Sequence, residues 1–352
     1  MKNDSRVFAS VGVDLGDEFA YYVCLDERGE AVDRGQVKMT MAAMGKELAK
    51  MARTRVAIEA GAQSRWVARV LRELGHEVIV ANPRQVKLIS ASQSKSDPND
   101  AMLLARLARV DPKLLAPVEH RSDEAQMDLV MVRARALLVE ERVALMHAIC
   151  GMAKTFGIRV PRATSERYIE RALQALPEGL RKALAGLFGA ILALTEQIDD
   201  YDKMIEATAR ERYPETARLT EVSGVGTLTA LTFMLTIDQA RRFERSRDVG
   251  GYLGLRPSQQ QSGERNPQLG ITKAGDRYLR KLLVQSAHCV LRKYGPDTAL
   301  KRWGLKLCER GGKNAKKRAI VAVARKLAVL LHRLWVSGEH YVAFPVAQPK
   351  AA

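Results

Sequence analysis

Val11-Gly12-Val13-Asp14-Leu15-Gly16 is an apolar run closed by a carboxylate. A run of this composition forms a buried strand, and a charged residue at its end emerges where the strand leaves the sheet. The arrangement returns at Val56-Ala57-Ile58-Glu59-Ala60-Gly61. Lys95-Ser96-Asp97-Pro98-Asn99-Asp100-Ala101 then adds two carboxylates at the opening of a helix, three residues apart and therefore on one helical face. Taken singly, these residues have ordinary readings: Asp97 before Pro98 also fits an N-cap, and Asp14 also fits a solvated strand end. Together they suggest a site, because carboxylates half-withdrawn from water need partners. Four at one point repel unless a cation neutralises them. Hard oxygen ligands suit Mg²⁺, with Mn²⁺ as a substitute, and that combination belongs to phosphodiester chemistry.

Outward from this core, residues 7–14, 18–25 and 31–38 read as three antiparallel strands, the last two joined across the turn Asp26-Glu27-Arg28-Gly29. A helix over 41–51, a strand over 55–59, a helix over 64–73, a strand over 77–81 and the helix opening at Asp97 follow. A three-stranded meander followed by alternating helices and strands is the order of a ribonuclease H-like α/β domain, here expected over residues 1–121. In that order the acidic residues of the first strand, the fourth strand and a late helix meet at one sheet edge.

Residues 122–213 read as helical. Leu180, Leu184, Leu187, Ile191, Leu194, Ile198, Tyr201 and Ile205 alternate steps of four and three, which is a heptad seam. An earlier helix over 123–156 carries a less regular face with Met131, Leu138, Leu145, Ile149 and Met152. The pair fits an internal antiparallel hairpin or a contact between copies of the chain; the length of the seam favours a homo-oligomer, a dimer assembling to a tetramer.

The 352 residues suffice for two or three domains with real cores. Cys24, Cys150, Cys289 and Cys308 form no CxxC pair, so neither a zinc cluster nor a disulfide framework is indicated, in keeping with a reducing cytosol. The most apolar stretch near the end, 319–336, contains Arg325, Lys326, His332 and Arg333, which excludes a membrane span. The net charge of +17 is unevenly placed: residues 1–240 hold 33 Lys and Arg against 33 Asp and Glu, and residues 241–352 hold 24 against 7. A neutral, catalytic-looking part joined to a strongly basic one divides chemistry from polyanion grip.

The basic part, a mainly helical domain expected over 214–352, opens with Ser223-Gly224-Val225-Gly226-Thr227. Glycines between helices fit a helix-hairpin-helix that holds a phosphate on backbone N–H groups, and equally a tight turn. Next comes a polar loop with Ser258 and Gln261-Ser262-Gly263, then Ile271-Thr272-Lys273 and a helix carrying Arg277 and Arg280 on one face. Arg256, Arg265, Lys273, Arg277, Arg280, Lys316 and Lys317, with Gly224 and Gly226, are the candidate nucleic-acid contacts. A serine is a poor nucleophile without activation, so from the residues alone Ser262 reads as a loop residue or a phosphate contact.

The set as a whole resembles the DEDD transposases of bacterial insertion sequences, insertion-sequence family one-hundred-and-ten. The resemblance rests on Asp14 in its strand, Glu59, Lys95-x-Asp97-x-x-Asp100-Ala101, Gly224-Val225-Gly226, Leu253-Gly254-Leu255-x-Pro257, Gln261-Ser262-Gly263 and Ile271-Thr272-Lys273 through Arg280, over roughly residues 7–300. It implies a RuvC-like catalytic domain in which Asp14, Glu59, Asp97 and Asp100 bind Mg²⁺, and a C-terminal domain whose Ser262, or its neighbour Ser258, attacks DNA. It further implies a bacterial, cytoplasmic recombinase guided by an element-encoded bridge RNA that pairs with donor and target DNA. The active site would be composed between subunits. A RuvC-like nuclease or junction resolvase would use the carboxylates without the serine, and a non-catalytic nucleic-acid-binding protein would use neither.

Overall fold

A computed structural model describes residues 7–89, 96–263, 265, 267 and 269–344. The chain divides into two compact units, Met1–His120 and Arg121–Ala352. Lys95, which belongs to a motif quoted above, lies outside the described residues.

The first unit is built on a five-stranded sheet of order β3-β2-β1-β4-β5. β1 (Ser10–Leu15), β2 (Phe19–Leu25) and β3 (Ala31–Lys38) form the antiparallel meander, while β4 (Arg55–Glu59) and β5 (Glu77–Ala81) run parallel to β1. The β2–β3 turn closes because Asp26 Oδ1 accepts from the N–H groups of Arg28 and Glu30, each at 2.9 Å, with Gly29 at φ 88°. The first strand begins three residues later than the apolar pattern suggests, and Val7 is exposed.

α1 (Met41–Leu48) and α2 (Ser64–Glu73) cover one face of the sheet, where Val11, Val13, Val56 and Ile58 pack with Met44, Leu48, Val67 and Leu71. α3 (Pro83–Ile89) precedes α4 (Asp97–Val110), which covers the other face. There Ala57 packs with Leu104 and Ala108, and Val23 and Leu25 pack with Ala101 and Ala105.

The second unit starts with α5 (Asp123–Thr155), followed by α6 (Ser165–Ala175), α7 (Glu178–Ala183) and α8 (Ala185–Arg212). α5 and α8 pack antiparallel. Arg135 holds Asp202 through two bonds of 2.9 Å, and Arg142 donates to Thr195 at 3.2 Å. The heptad seam is interrupted at Leu184, where α7 gives way to α8. Leu184, Phe188 and Ile191 pack against Ile149, Ala153 and Tyr168, and Ile205 packs against Ala125, Leu129 and Val132. The internal antiparallel hairpin is thus formed; Leu184, Ile191, Ile198 and Ile205 of the seam are buried within the chain, while Leu180, Leu187, Leu194 and Tyr201 are half-buried. The burial also crosses the expected boundary at 213/214, because Leu231 and Leu235 join the same cluster.

Those two leucines belong to α10 (Thr227–Ile237), which follows the short α9 (Thr216–Thr220). α11 (Val249–Tyr252), α12 (Arg277–Val290), α13 (Ala299–Cys308) and α14 (Ala315–Ser337) complete the unit around a core that includes Phe233, Leu279, Leu283, Leu327 and Leu331. Among the described residues, no helix is long and apolar enough to cross a membrane.

Each unit contains one buried neutral histidine, with His76 5% and His332 1% exposed. A carbonyl can only accept, so Nε2 of His76 donates to Leu48 O at 3.4 Å and Nε2 of His332 donates to Ala240 O at 2.9 Å. Nδ1 is then an acceptor, from Thr54 N in one case and the Ser246 hydroxyl in the other. Burial holds both rings below the ordinary value of 6.5. The unfolded chain therefore takes up the protons that the fold refuses, so this stability is complete above pH 6.5 and declines as pH falls below it. Urea midpoints should drop between pH 7.5 and pH 5.5, and the drop should be smaller in His76→Gln and His332→Gln proteins. An unchanged pH slope in both variants would assign the acid sensitivity to other groups.

Candidate active site and nucleic-acid interface

Asp14 and Glu59 reach one sheet edge by register. Gly12 pairs with Ala57 and Val13 with Ile58 in the parallel β1–β4 ladder, so Asp14 and Glu59 each follow by one residue. Alternation puts Asp14 on the face of Ser10 and Gly12, and Glu59 on the face of Ala57. That is the face covered by α4.

The helix is brought onto the strand by a missing side chain. A Cβ at Gly12 would lie 2.0 Å from Ala101 O and 2.4 Å from Ala105 N, so only glycine lets the two backbones meet. Ser10 adds a hydrogen bond from its Oγ to Ala105 O at 2.9 Å. Going from Ser10 to Gly12, the helix partner moves from Ala105 towards Ala101. Asp14 lies two residues beyond Gly12 on the strand, and Asp97 four residues before Ala101 on the helix.

Asp97 is the first residue of α4 rather than its N-cap, a position held by Ser96 without a side-chain hydrogen bond. Asp97 is exposed, and Asp14, Glu59 and Asp100 are half-buried. The strand register places Asp14 and Glu59 at the same end of adjacent strands, and Asp97 and Asp100 lie in the first turn of the helix that covers that face. Among the described residues, however, no three acidic, Cys or His side chains form a group that could hold a metal ion. The donor set is hard oxygen throughout, which fits Mg²⁺ or Mn²⁺ and no softer metal.

In the second unit, residues 254–273 form a two-stranded finger. Lys273 N donates to Gly254 O at 3.1 Å, Thr272 N to Arg256 O at 2.9 Å and Ser258 N to Gly270 O at 2.9 Å. At the tip, Ser262 and Arg265 exchange backbone bonds of 3.1 and 3.0 Å, with Gly263 at φ 56° in the turn. Ser262 is exposed at the tip, while Ser258 is half-buried in the shaft. The base is closed at Gly254, whose φ is 70° and whose added Cβ would meet Ala274 N at 2.1 Å.

Arg280 is half-buried and meets backbone carbonyls. Its Nη1 donates to Leu253 O at 3.2 Å, to Gly275 O and Asp276 O at 3.3 Å each, and to Ala274 O. Through this nitrogen, which shares its two hydrogens among four carbonyls, Arg280 ties the start of α12 to the base of the finger. Gly224 also has a packing reason: its φ is 86°, and a Cβ would lie 2.8 Å from Ser286 O on α12. Gly226 is the exposed N-cap residue of α10. Arg256, bonded to Gln259 at 3.3 Å, lies on the shaft, Arg265 at the tip and Lys273 at the base. Arg277, Lys316 and Lys317 are exposed at the starts of α12 and α14. The sequence reading missed Gly12, although a glycine inside a buried strand is the usual mark of a close backbone approach.

Residues 11–156 match the DEDD transposase family of IS110 elements, and residues 216–302 match the family described as Transposase IS116/IS110/IS902. The chain is 31% identical over 340 residues to the transposase for insertion sequence element IS1111A of Coxiella burnetii, covering 94% of this chain and 90% of that protein. It is 30% identical over 332 residues to a "Probable family 20 transposase" of Pseudomonas aeruginosa, covering 92% and 96%. The transposase for IS1328 of Yersinia enterocolitica is 28% identical over 291 residues, covering 80% and 84%. With relatedness along nearly its whole length and both family regions in order, the chain belongs to the IS110/IS116/IS902 family of transposases.

Proposed function

We propose that this transposase cuts and rejoins DNA through the Ser262 hydroxyl, with a Mg²⁺ site provided by Asp14, Glu59, Asp97 and Asp100 on a ribonuclease H-like sheet. An element-encoded bridge RNA directs it to donor and target DNA, and the working form is a homo-oligomer that holds both DNAs. The observation that carries the reading is the Gly12 contact, which packs α4 at Ala101 and Ala105 against β1, on the sheet face that Asp14 and Glu59 share by alternation. The strand order, an antiparallel meander extended by two parallel strands, supports the ribonuclease H-like assignment. A divalent ion bound there supplies charge neutralisation at the phosphate.

The finger suits covalent chemistry. Ser262 is exposed at a turn whose backbone is fixed by reciprocal hydrogen bonds, so its Oγ is presented without a large ordering cost. Its Oγ attacks phosphorus, an O–P bond to serine forms, and the displaced deoxyribose oxygen leaves with a proton. Rejoining reverses the step: the hydroxyl of another strand attacks the serine phosphodiester, and Ser262 recovers its proton. Ser258, half-buried in the shaft, is less suited. RNA guidance draws its support from the family and from the basic third of the chain.

The reading is tested by incubating the full chain with donor DNA, target DNA and RNA transcribed from the end of the element, then resolving products on denaturing gels. Wild-type protein and Ser258→Ala should yield a covalent protein–DNA adduct. Ser262→Ala should yield none, since removal of a serine nucleophile costs roughly 10⁶-fold in a well-studied case. Free nicks without adduct would indicate a nuclease, and absence of both would indicate a binding protein.

A further inference from the structure

A cavity of about 910 Å³ lies between the base of the finger and α14. Leu255 and Ile271 from the finger, Val321 from α14 and Trp303 from α13 give it an apolar lining, while Lys273, Lys317, Arg325 and Lys326 also line it. None of the described residues lining it is acidic. On α14, Lys317, Val321, Arg325 and Val329 recur every four residues, so cationic and apolar side chains alternate along one helical face. The Lys326 ammonium lies 4.3 Å from the centroid of the Trp303 ring.

This combination selects its occupant. A purely cationic groove tracks a phosphate backbone, and a purely apolar one takes a hydrophobic side chain. An apolar pocket with an aromatic wall and cations around it suits an unstacked base flanked by phosphates. The volume is at the upper end of the ~300–1,000 Å³ typical of small-molecule sites. The finger that forms one wall also carries Ser262. Five residues separate Pro257, which bridges Ile271, from Ser262, which bridges Arg265, a span of at most about 17 Å, or about five nucleotides of stacked strand.

We propose that the cavity receives one unstacked base of the DNA strand being cut, about five nucleotides from the scissile phosphate, with the neighbouring phosphates held by Lys273, Lys317, Arg325 and Lys326. The proposal rests on the serine recombinase reading above. It assigns the cavity to the strand carried by the finger and therefore to DNA.

Fluorescence anisotropy with the full chain tests it, using a labelled DNA duplex with one unpaired thymine, the same duplex with an abasic residue there, the fully paired duplex, and an RNA duplex with one unpaired uracil. The unpaired-thymine duplex should bind about tenfold tighter than the abasic one. Ala322→Trp, which fills the cavity, and Trp303→Ala, which removes its aromatic wall, should each abolish that ratio while paired DNA binds as before. Equal affinity for the thymine and abasic duplexes overturns the proposal, as does a ratio unaffected by Ala322→Trp or a preference confined to RNA. Absence of binding to any DNA would also sink the functional reading, whereas paired-DNA binding without a base preference would sink only the cavity.

Discussion

Asparagine in place of Asp97 or Asp100 lowers strand cleavage by at least about 10²–10³-fold, the loss seen when one well-placed electrostatic group is removed from an active site. The thermal midpoint moves little. The two effects separate because of where these residues lie. Asp97 is exposed and Asp100 half-buried, and both sit in the first turn of α4, where a negative charge contributes only about 0.3–1 kcal/mol through the helix dipole. The activity loss corresponds to about 2.7–4 kcal/mol of barrier, so it cannot be a by-product of weakened folding. Single-turnover cleavage and thermal unfolding measured on the same preparations decide the point. Full activity in both variants would remove the metal assignment. Cleavage should survive exchange of Mg²⁺ for Mn²⁺ and fail in Ca²⁺, whose oxygen bonds of about 2.3–2.6 Å exceed the about 2.0–2.1 Å of Mg²⁺.

Gly12→Ala and Gly12→Leu produce the largest combined loss. The new Cβ would meet helix backbone at 2.0 and 2.4 Å, and backbone atoms cannot rotate away as a side-chain tip does. α4 must shift, and overpacking of this kind costs about 1–3 kcal/mol even where the neighbours are more yielding. The shift carries Asp97 and Asp100 away from Asp14 and Glu59, and a displacement of about 1 Å can cost about 10²-fold in rate. Gly12→Ala should therefore be destabilised and nearly inactive, and Gly12→Leu should fail to fold its first unit. Alanine tolerated at full stability and full rate would mean that α4 need not lie so close to β1.

The strands and helices of the first unit, apart from α3 at Pro83–Ile89, were legible in the sequence because each is short and bounded by a clear signal. Residues 55–59, 64–73 and 77–81 carry one apolar period each, and the observed elements have the same bounds. Where two physical readings share one pattern, the sequence could not choose. The run from Leu180 to Ile205 keeps coiled-coil spacing whether its partner is another copy or α5, and only the observed packing with Ile149 and Val132 identifies α5 as one partner. The backbone role of Arg280 was hidden for a related reason. A cation after a glycine-rich loop suits phosphate and backbone carbonyls alike, and which of them it meets depends on a finger held by contacts distant in sequence. Gly12 was visible in the first strand, but its meaning required knowing that α4 would cross there.

The pairing of α5 with α8 has a dimensional consequence. A helix of 33 residues extends about 50 Å, from the cluster it shares with α10 to the cluster it shares with α6. Its length acts as a gauge between those two ends. Removing one residue from either helix would turn everything beyond it by about 100° and misalign the Arg135–Asp202 pair with the rest of the seam. Removing seven from both shortens the gauge by about 10 Å while restoring each side chain to within about 20° of its former face. Related chains can therefore change this span in whole heptads, matched on both helices, so that the permitted sizes are discrete steps and not a continuum.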